Sequence, residues 1–242
     1  MKSPRLRDSR KAISSELYHL NEIPDEIVTM IGGYFIYLLH VGRKDITGND
    51  WGDAFARAIG GNHLESPLGI ADVVKDRMAL KTVKSTDPFK AKRIRLISGR
   101  CSPDFSYGIA DPHKDIQQTG TAVLGIWNER VNIAYDHYNP VRTAILIRSN
   151  SLDKFCLFEE ENHRYRTSDY KWEENSNGNL IGRNIETGKV CFTWQPHGSQ
   201  FTIHEEVPMH AVKFTIKHPE IMTPESILQA LDFDSSWVKI ER

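Results

Sequence analysis

Residues 70–84 read IADVVKDRMALKTVK, and this pattern predicts a β-hairpin. Two runs rich in β-branched and aliphatic residues are separated by the polar triplet Lys75-Asp76-Arg77, an arrangement typical of two strands joined by a tight turn. In such a hairpin Asp72 and Lys81 fall near the middle of facing strands. We therefore expect the carboxylate and the ammonium group to reach the same small volume of space.

The pair formed by Asp72 and Lys81 has two interpretations. In the first, the carboxylate holds a hard divalent cation, which prefers oxygen ligands, and the lysine orients a water and stabilises charge on a phosphate. In the second, the two residues form only a cross-strand ion pair, which contributes about 0.5 kcal/mol. Their spacing alone does not choose between these interpretations.

The residues around this pair resemble a known family. Asp72 is followed, after a gap of six residues, by Ala79-Leu80-Lys81-Thr82-Val83. This is similar to the motif of the PD-(D/E)XK nucleases, in which an acid on one strand precedes (D/E)-x-K on the next. The similarity covers roughly residues 50–160 and is greatest to type II restriction endonucleases and to the mismatch-repair nickase MutH.

One residue departs from the motif, because Ala79 stands where the family has its second acid. The departure has three explanations that the sequence leaves open. Another residue supplies the acid, the activity has been lost, or the alanine was introduced deliberately.

The resemblance implies an α/β fold with a restriction-endonuclease-like mixed β-sheet core flanked by helices. It also implies Mg²⁺-dependent, sequence-specific hydrolysis of phosphodiester bonds in double-stranded DNA by a homodimer. Asp72 would bind the metal, and Lys81 would orient or activate the attacking water. Asp53 or Glu65 would add a further catalytic carboxylate and metal ligand.

Asp53 and Glu65 each have an ordinary structural alternative. Asp53 lies near the start of a short predicted helix that Gly60-Gly61 would end, where an acid favours the helix dipole. Glu65 lies in a predicted loop, 63–67, seven residues before Asp72. Either residue could be a metal ligand. Otherwise Asp53 would be a helix-start acid and Glu65 a solvated loop residue.

The chain is predicted to form a single domain, 1–242, with three regions. Residues 1–50 form an N-terminal helical region and residues 51–160 form the nuclease core. Residues 161–242 form a mostly antiparallel, β-rich region for DNA recognition that ends in a helix starting at Thr223-Pro224.

Hydrophobic periodicity supports this organisation. Apolar residues at helical spacing predict a core-facing helix within 115–134, and the apolar runs 141–148 and 155–158 predict two buried strands. Hairpin, helix and two buried strands follow one another in the order expected of the α/β nuclease core.

The N-terminal region is predicted to contain several helices. The spacing of Ile13, Leu17 and Leu20 predicts a first helix. Pro24 begins a second one, which Gly32-Gly33 is expected to end before a buried helix.

Two groups of residues are candidates for DNA binding. The first is a basic stretch after the hairpin, which would neutralise phosphates or would be a solvated loop. The second lies in the β-rich region, where arginine and glutamine side chains can read base edges. The candidates are Lys84, Lys92, Arg93 and Arg95 in the first group, and Arg164, Arg166, Arg183, His197 and Gln200 in the second.

Composition restricts the class of protein. The formal net charge is −1, so an enzyme acting on DNA would have to gather its basic residues on one face. The three separated cysteines indicate neither a disulfide framework nor a zinc site, which favours a reducing cytoplasm. No signal-peptide core is recognisable, and the longest apolar run, 34–41, is too short to span a bilayer.

Three other functions remain open at this point. One is a monomeric repair nickase or structure-selective nuclease of the same fold. Another is a DNA-binding protein without catalysis, which Ala79 makes plausible. The third is an interaction protein that binds neither metal nor DNA.

Overall fold

The computed structural model describes residues 18–68, 71–73, 78–137 and 141–241, which form a mixed α/β fold with two β-sheets. The helices are α1 (Asp25–His40), α2 (Gly48–Ile59), α3 (Pro103–Tyr107), α4 (Ile116–His137) and α5 (Pro224–Ala230). The strands are β1 (His63–Leu68), β2 (Ala71–Val73), β3 (Met78–Ser85), β4 (Arg93–Arg100), β5 (Arg142–Ser149), β6 (Lys154–Glu161), β7 (Tyr170–Glu174), β8 (Leu180–Asn184), β9 (Val190–Gln195), β10 (Gln200–Glu206) and β11 (Val212–Thr215). The predicted α/β class is confirmed. Within these described ranges, no helix is both long enough and apolar enough to cross a membrane.

The first sheet has the strand order β1-β2-β3-β5-β6-β11. β3 and β5 are parallel and the other neighbouring pairs are antiparallel, so the sheet is mixed. The chain passes through α4 between β3 and β5, which gives the long crossover that parallel neighbours require. β2 and β3 are the two strands of the predicted hairpin, whereas its predicted turn, 75–77, lies outside the described residues.

The α1 helix continues through Gly32-Gly33, so the predicted helix end at this position is wrong. Gly32 is buried, and a Cβ at this position would lie 3.5 Å from the side chain of Ile216. The helix also buries Ile31 and Phe35 in one apolar cluster with α2 and the first sheet. Glycine inside a helix costs about 1 kcal/mol per residue, which the burial of this apolar face outweighs.

The segment 18–24 precedes α1 and is not helical. The predicted first helix is therefore absent at Leu20, while Ile13 and Leu17 lie outside the described residues. Instead of helical hydrogen bonds, this segment makes contacts with strands of the first sheet.

Glu159 of β6 is fully buried and holds this segment in place. The hydroxyl of Tyr18 donates a hydrogen bond to Glu159 Oε1 (2.8 Å), and the backbone N–H of Asn21 donates to Oε2 (3.0 Å). Arg142 Nη1 lies 3.7 Å from Glu159 Oε2 and donates to the carbonyl of Tyr18 (3.1 Å). A nearby cation and several donors therefore compensate the buried carboxylate, as burial of a charge requires.

The second sheet has the order β4-β10-β9-β8-β7 and is antiparallel throughout, which confirms the predicted antiparallel β region. Its inner face packs against α4 in an aromatic-rich cluster. Members of this cluster are Val123, Leu124, Trp127, Trp172, Phe192, Trp194 and Phe201.

Each sheet takes one strand from the other predicted region of the chain. β4 belongs to the predicted nuclease core but pairs with β10 in the second sheet. β11 belongs to the predicted recognition region but pairs with β6 in the first sheet. Ile94 and Leu96 of β4 pack with Ile145 and Ile147 of β5, so the two sheets share an apolar core. The predicted division at residue 160 does not coincide with the division between the sheets.

The close approach of α4 to β7 gives a testable prediction at Gly120. A Cβ at this position would lie 2.2 Å from the indole ring of Trp172, closer than any real contact allows. We expect Gly120→Ala to lower the free energy of unfolding by about 2 kcal/mol, measured by urea denaturation, because the buried indole must move.

Gly33→Ala in α1 is the matched control, because the added methyl group meets no atom within 4 Å. This change removes only the conformational penalty of glycine and is expected to raise the free energy of unfolding by about 0.5 kcal/mol. Equal effects at the two glycines would contradict the packing described for Trp172.

Candidate active site and nucleic-acid interface

The hairpin backbone places the two motif residues on neighbouring strands. Asp72 is the middle residue of β2, and Lys81 is the fourth residue of β3. The Cα register pairs Val73 with Met78, so continuing it by one residue puts Asp72 opposite Ala79, two residues before Lys81. The side chains of Asp72 and Lys81 lie outside the described part of the structure. Their contact therefore stays a prediction.

A row of cross-strand neighbours extends from position 79 into the sheet. Ala79 is opposite Thr143 of β5, and Thr143 is opposite Glu160 of β6. The hydroxyl of Thr143 donates a hydrogen bond to Asn162 Oδ1 (2.9 Å). Because neighbouring strands lie about 4.8 Å apart, the backbone of Glu160 is about 10 Å from that of Ala79. Glu160 is therefore too far away to replace the acid that the motif has at position 79.

Asp53 lies on α2, as predicted, and contacts a histidine. Its Oδ1 is 2.9 Å from His63 Nδ1, and its side chain is 50% exposed. The imidazole of His63 lies over Gly52, where any side chain would collide with it. Asp53 thus keeps one oxygen free of the described contacts while the other is engaged by the first residue of β1.

Glu65 lies on β1, so the predicted loop at 63–67 is wrong. β1 pairs antiparallel with β2, with His63 opposite Val73 and Leu68 opposite Ala71. β1 is an edge strand, which explains how a strand can contain Pro67. The side chain of Glu65 is not among those that the structure describes.

The predicted ligands for a divalent cation are Asp72, Asp53 and Glu65. Among the described side chains, no group of three or more histidine, cysteine, aspartate or glutamate residues could hold a metal ion. Of the predicted ligands, only Asp53 has a described side chain. The carboxylates of Asp72 and Glu65 have the right chemistry for Mg²⁺, and their arrangement stays an expectation.

Lys84, predicted to contact phosphates, is engaged in a charged network at the opposite end of β3. Its Nζ lies 2.9 Å from Asp45 Oδ2, and Arg148 Nη1 lies 2.6 Å from Asp45 Oδ1. Burial raises the pKa of Asp45, but the hydrogen bond from Lys84 and the charge of Arg148 together hold this pKa below its usual value. The positive charge of Lys84 is therefore partly neutralised within the protein.

The basic stretch after the hairpin is not a solvated loop, because its second half is the strand β4. Arg93, Arg95 and Ile97 are exposed on one side of this strand, whereas Ile94 and Leu96 are buried on the other. Arg93 and Arg95 therefore lie on the outer face of the second sheet. Lys92 is exposed just before the strand begins.

The outer face of the second sheet contains a shallow depression of about 460 Å³, here called the outer groove. Its hydrogen-bonding residues come from β4, the β7–β8 turn, β8, β9 and β10. They are Arg95, Asn175, Asn177, Asn179, Arg183, Thr193, Gln195 and His204. Of the three predicted base-reading arginines, Arg164, Arg166 and Arg183, only Arg183 lies in the outer groove, and its Nε is 2.5 Å from Glu173 Oε1.

His204 is held in its neutral form within the outer groove. Burial, followed by the charges of Arg93 and Arg95, lowers its pKa to about 4. Its Nε2 lies 2.9 Å from the hydroxyl of Thr193. Near neutral pH this imidazole therefore presents hydrogen-bonding groups without a charge.

The remaining predicted DNA-binding residues do not line the outer groove, although Gln200 is the cross-strand neighbour of its residue Gln195. Arg164 donates a hydrogen bond to Asn132 Oδ1 on α4 (3.2 Å), in a separate pocket of about 730 Å³. Arg166 is exposed before β7, and His197 is exposed in the turn after β9. Gln200 begins β10, opposite Arg100 and Gln195.

The space between the sheets also holds two carboxylates with altered pKa values. Burial, together with the charge of Glu160 and against the opposing charge of Arg93, raises the pKa of Glu205 on β10 to about 7. Burial likewise raises the pKa of Glu160, while His163 and His210 lower it. The folded protein thus keeps Glu205 protonated at a pH where the unfolded chain does not.

This difference predicts how stability depends on pH. Because the pKa of Glu205 rises on folding from 4.5 to about 7, its protonation stabilises the fold below pH 4.5, and this contribution is lost as the pH rises through 7. We expect Glu205→Gln to be more stable than the wild type by about 2 kcal/mol at pH 8, with little difference at pH 4.5.

Urea denaturation at several pH values between 4.5 and 8 would test this expectation. The lowered pKa of His204 makes stability change with pH in the opposite direction. Because His204 is present in both the wild type and Glu205→Gln, its contribution cancels when their free energies of unfolding are compared. A constant difference between the two proteins across this pH range would contradict the assignment to Glu205.

Several residues of the outer groove were not among the predicted ones. Asn177 and Asn179 belong to the sequence NSNGN at 175–179, which is typical of a turn but whose three asparagines also supply amide groups. Gln195 follows the alternation of Phe192 and Trp194 and so falls on the opposite face of β9. The alternation of buried aromatic residues along this strand is the sequence signal that Gln195 lies on the outer face.

Comparisons with known proteins give no relative for this chain. A scan against protein-family models, a search of curated proteins and a search of solved structures each gave no significant match.

Proposed function

We propose that this chain is a type II restriction endonuclease that hydrolyses double-stranded DNA with Mg²⁺ and acts as a cytoplasmic homodimer. The observation that carries the proposal is the pairing of Val73 on β2 with Met78 on β3. Continued by one residue, this register puts Asp72 opposite Ala79, two residues from Lys81. A shift of the register by a single residue would put an acid and a lysine on opposite faces of the sheet.

The order of elements around the hairpin also supports the proposal. α2 precedes the three strands β1, β2 and β3, which are antiparallel neighbours. The chain later passes through α4 to β5, which is parallel to β3, and then to the antiparallel β6. Hairpin, helix and two buried strands are the order that the resemblance to the nucleases predicts.

The proposed roles follow from the chemistry of each side chain. Asp72 would hold Mg²⁺, with Glu65 or Asp53 as a further oxygen ligand. Bound Mg²⁺ supplies positive charge that lowers the pKa of a water and stabilises the phosphate in the transition state. Lys81 would orient the attacking water and would contribute a second positive charge beside the phosphate.

The distribution of charge is compatible with DNA as the substrate. The chain has a net charge of −1, so DNA binding depends on a local basic surface. Among the described residues, neither Arg95 nor Lys171 on the second sheet has a carboxylate partner, and both are exposed. Their positive charges favour an anionic ligand such as DNA.

The proposal is tested by incubating the purified protein with phage DNA and Mg²⁺. Discrete fragments are expected, and a supercoiled plasmid with one site should become linear, because a dimer cuts both strands. Conversion to the nicked circle only would favour the alternative nickase.

The non-catalytic alternative is separated by the variant Ala79→Glu, which restores an acid two residues from Lys81. If neither the wild type nor this variant cuts DNA in Mg²⁺ or Mn²⁺, although both bind it, the chain is a DNA-binding protein without nuclease activity. If the wild type already cuts efficiently, the second acid lies elsewhere, and Asp53→Ala and Glu65→Ala become the deciding variants.

A further inference from the structure

Half of the hydrogen-bonding side chains of the outer groove are unused by the fold. Within the described parts of the chain, the side chains of Arg95, Asn177, Asn179 and Gln195 have no hydrogen bond or ion pair. Asn128 shows the contrast, because it donates to the carbonyl of Tyr165 (2.8 Å) and accepts from its N–H (2.8 Å). Asn175, at the start of the same turn, likewise accepts from the N–H groups of Asn177 and Asn179, whereas the side-chain amides of Asn177 and Asn179 remain available.

The charge around the outer groove favours an anionic partner. The two acids of this face are already engaged, Glu173 by Arg183 (2.5 Å) and Glu206 by Lys189 (2.6 Å). Arg95 is exposed and unpaired within the described residues, so its charge is not neutralised. A ligand with both negative charge and a dense pattern of donors and acceptors fits this surface.

The shape of the surface narrows the choice of ligand further. β7 and β8 form the edge hairpin of the second sheet, which β8 joins to β9, and Asn177 and Asn179 lie in the turn at the end of this hairpin. The major groove of B-DNA, about 12 Å wide, admits two adjacent β-strands, so the end of this hairpin matches it in width. Arginine matches the acceptors of guanine there, and asparagine or glutamine matches the paired donor and acceptor of adenine.

We infer that the outer groove reads base pairs in the major groove of duplex DNA, with Arg95, Asn177, Asn179 and Gln195 as base-contacting residues. This inference rests on the proposed function only in taking DNA as the ligand, and it holds for an inactive DNA-binding protein as well. It assigns Arg95 to base reading rather than to phosphate contact. It also assigns sequence reading to the outer groove rather than to Arg164 and Arg166.

The experiment first selects a preferred sequence from a randomised duplex pool, using the wild-type protein in Ca²⁺ to prevent cleavage. The affinities of variants for the selected duplex and for a scrambled duplex are then compared at several salt concentrations. We expect Arg95→Ala and Gln195→Ala each to weaken binding to the selected duplex by about tenfold to a hundredfold, with a much smaller effect on the scrambled one.

Arg166→Ala is the matched control, because Arg166 is an exposed arginine outside the outer groove. It is expected to leave the ratio of the two affinities unchanged. Circular dichroism and thermal melting of each variant would show that the fold is retained, which is expected because the substituted side chains have no described polar contact with the protein.

Three results would overturn the inference. One is an equal loss on both duplexes for Arg95→Ala and Gln195→Ala, which means that these residues contact only the backbone. Another is a change of preference caused by Arg166→Ala but not by the outer-groove variants. The third is no affinity of the wild type for any duplex, which would leave a protein as the ligand of this surface.

The experiments distinguish a failure of the base-reading inference from a failure of the nuclease proposal. Selective binding without cleavage in Mg²⁺ would refute the nuclease and leave the inference standing. Cleavage at sites that the outer-groove variants still select normally would refute the inference and leave the nuclease standing.

Discussion

Asp72→Asn is expected to abolish Mg²⁺-dependent DNA cleavage while leaving DNA binding intact or tighter. The amide has nearly the same shape as the carboxylate but lacks the negative charge that holds a hard cation. Removing that charge also removes a repulsion between the protein and the phosphate. Cleavage of plasmid in Mg²⁺ and binding in Ca²⁺ would be measured in parallel, and we expect activity to fall by at least about a thousandfold.

Asp111→Asn is a suitable control, because Asp111 lies in a turn where its Oδ1 only accepts from the N–H of His113 (3.0 Å). This variant should cut DNA as the wild type does. Unchanged cleavage by Asp72→Asn would remove Asp72 from the active site and, with it, the resemblance on which the proposed function depends.

Glu159→Ala is expected to lower the free energy of unfolding by about 3 to 5 kcal/mol, because it removes a fully buried carboxylate that lies beside the buried guanidinium of Arg142. The change also removes the acceptor for the hydroxyl of Tyr18 and for the N–H of Asn21. Urea denaturation would measure the loss. We expect Glu159→Gln to lose less, since the amide oxygen can still accept one of these hydrogen bonds.

Glu241→Ala is the control for a carboxylate of the same type at the surface. Its Oε1 lies 2.7 Å from Lys239 Nζ, but both side chains are more than three-quarters exposed. An ion pair so placed contributes little, and no measurable change is expected. A similar loss at positions 159 and 241 would contradict the burial described for Glu159.

The elements that could be predicted from the sequence are those whose signal is local. The apolar periodicity within 115–134 predicted α4, and the β-branched runs of the hairpin predicted β2 and β3. The glycine after α2 correctly marked its end, because Gly60 adopts a left-handed conformation with φ of 64°. In each case the residues that decide the structure lie within a few positions of one another.

The elements that could not be predicted depend on partners far away in the chain. Gly32 stays inside α1 because it packs against Ile216, which no local pattern reveals. The sequence of β4 resembles a basic loop, but Ile94 and Leu96 form part of a strand because they pack against the apolar side chains of β5. The outer groove brings Arg95 together with Asn177 and Gln195, which follow it by 82 and 100 residues in the chain. These residues come together only through the pairing of strands.

The exchange of strands between the sheets has a consequence for how this protein can be engineered. Enzymes are often given new specificity by grafting a contiguous recognition segment from one chain onto the catalytic segment of another. Here a graft of residues 161–242 would carry β11 away from its neighbour β6 and would leave β4 beside a foreign strand in place of β10. New specificity in this scaffold therefore has to come from individual side-chain replacements on an intact chain rather than from exchange of segments.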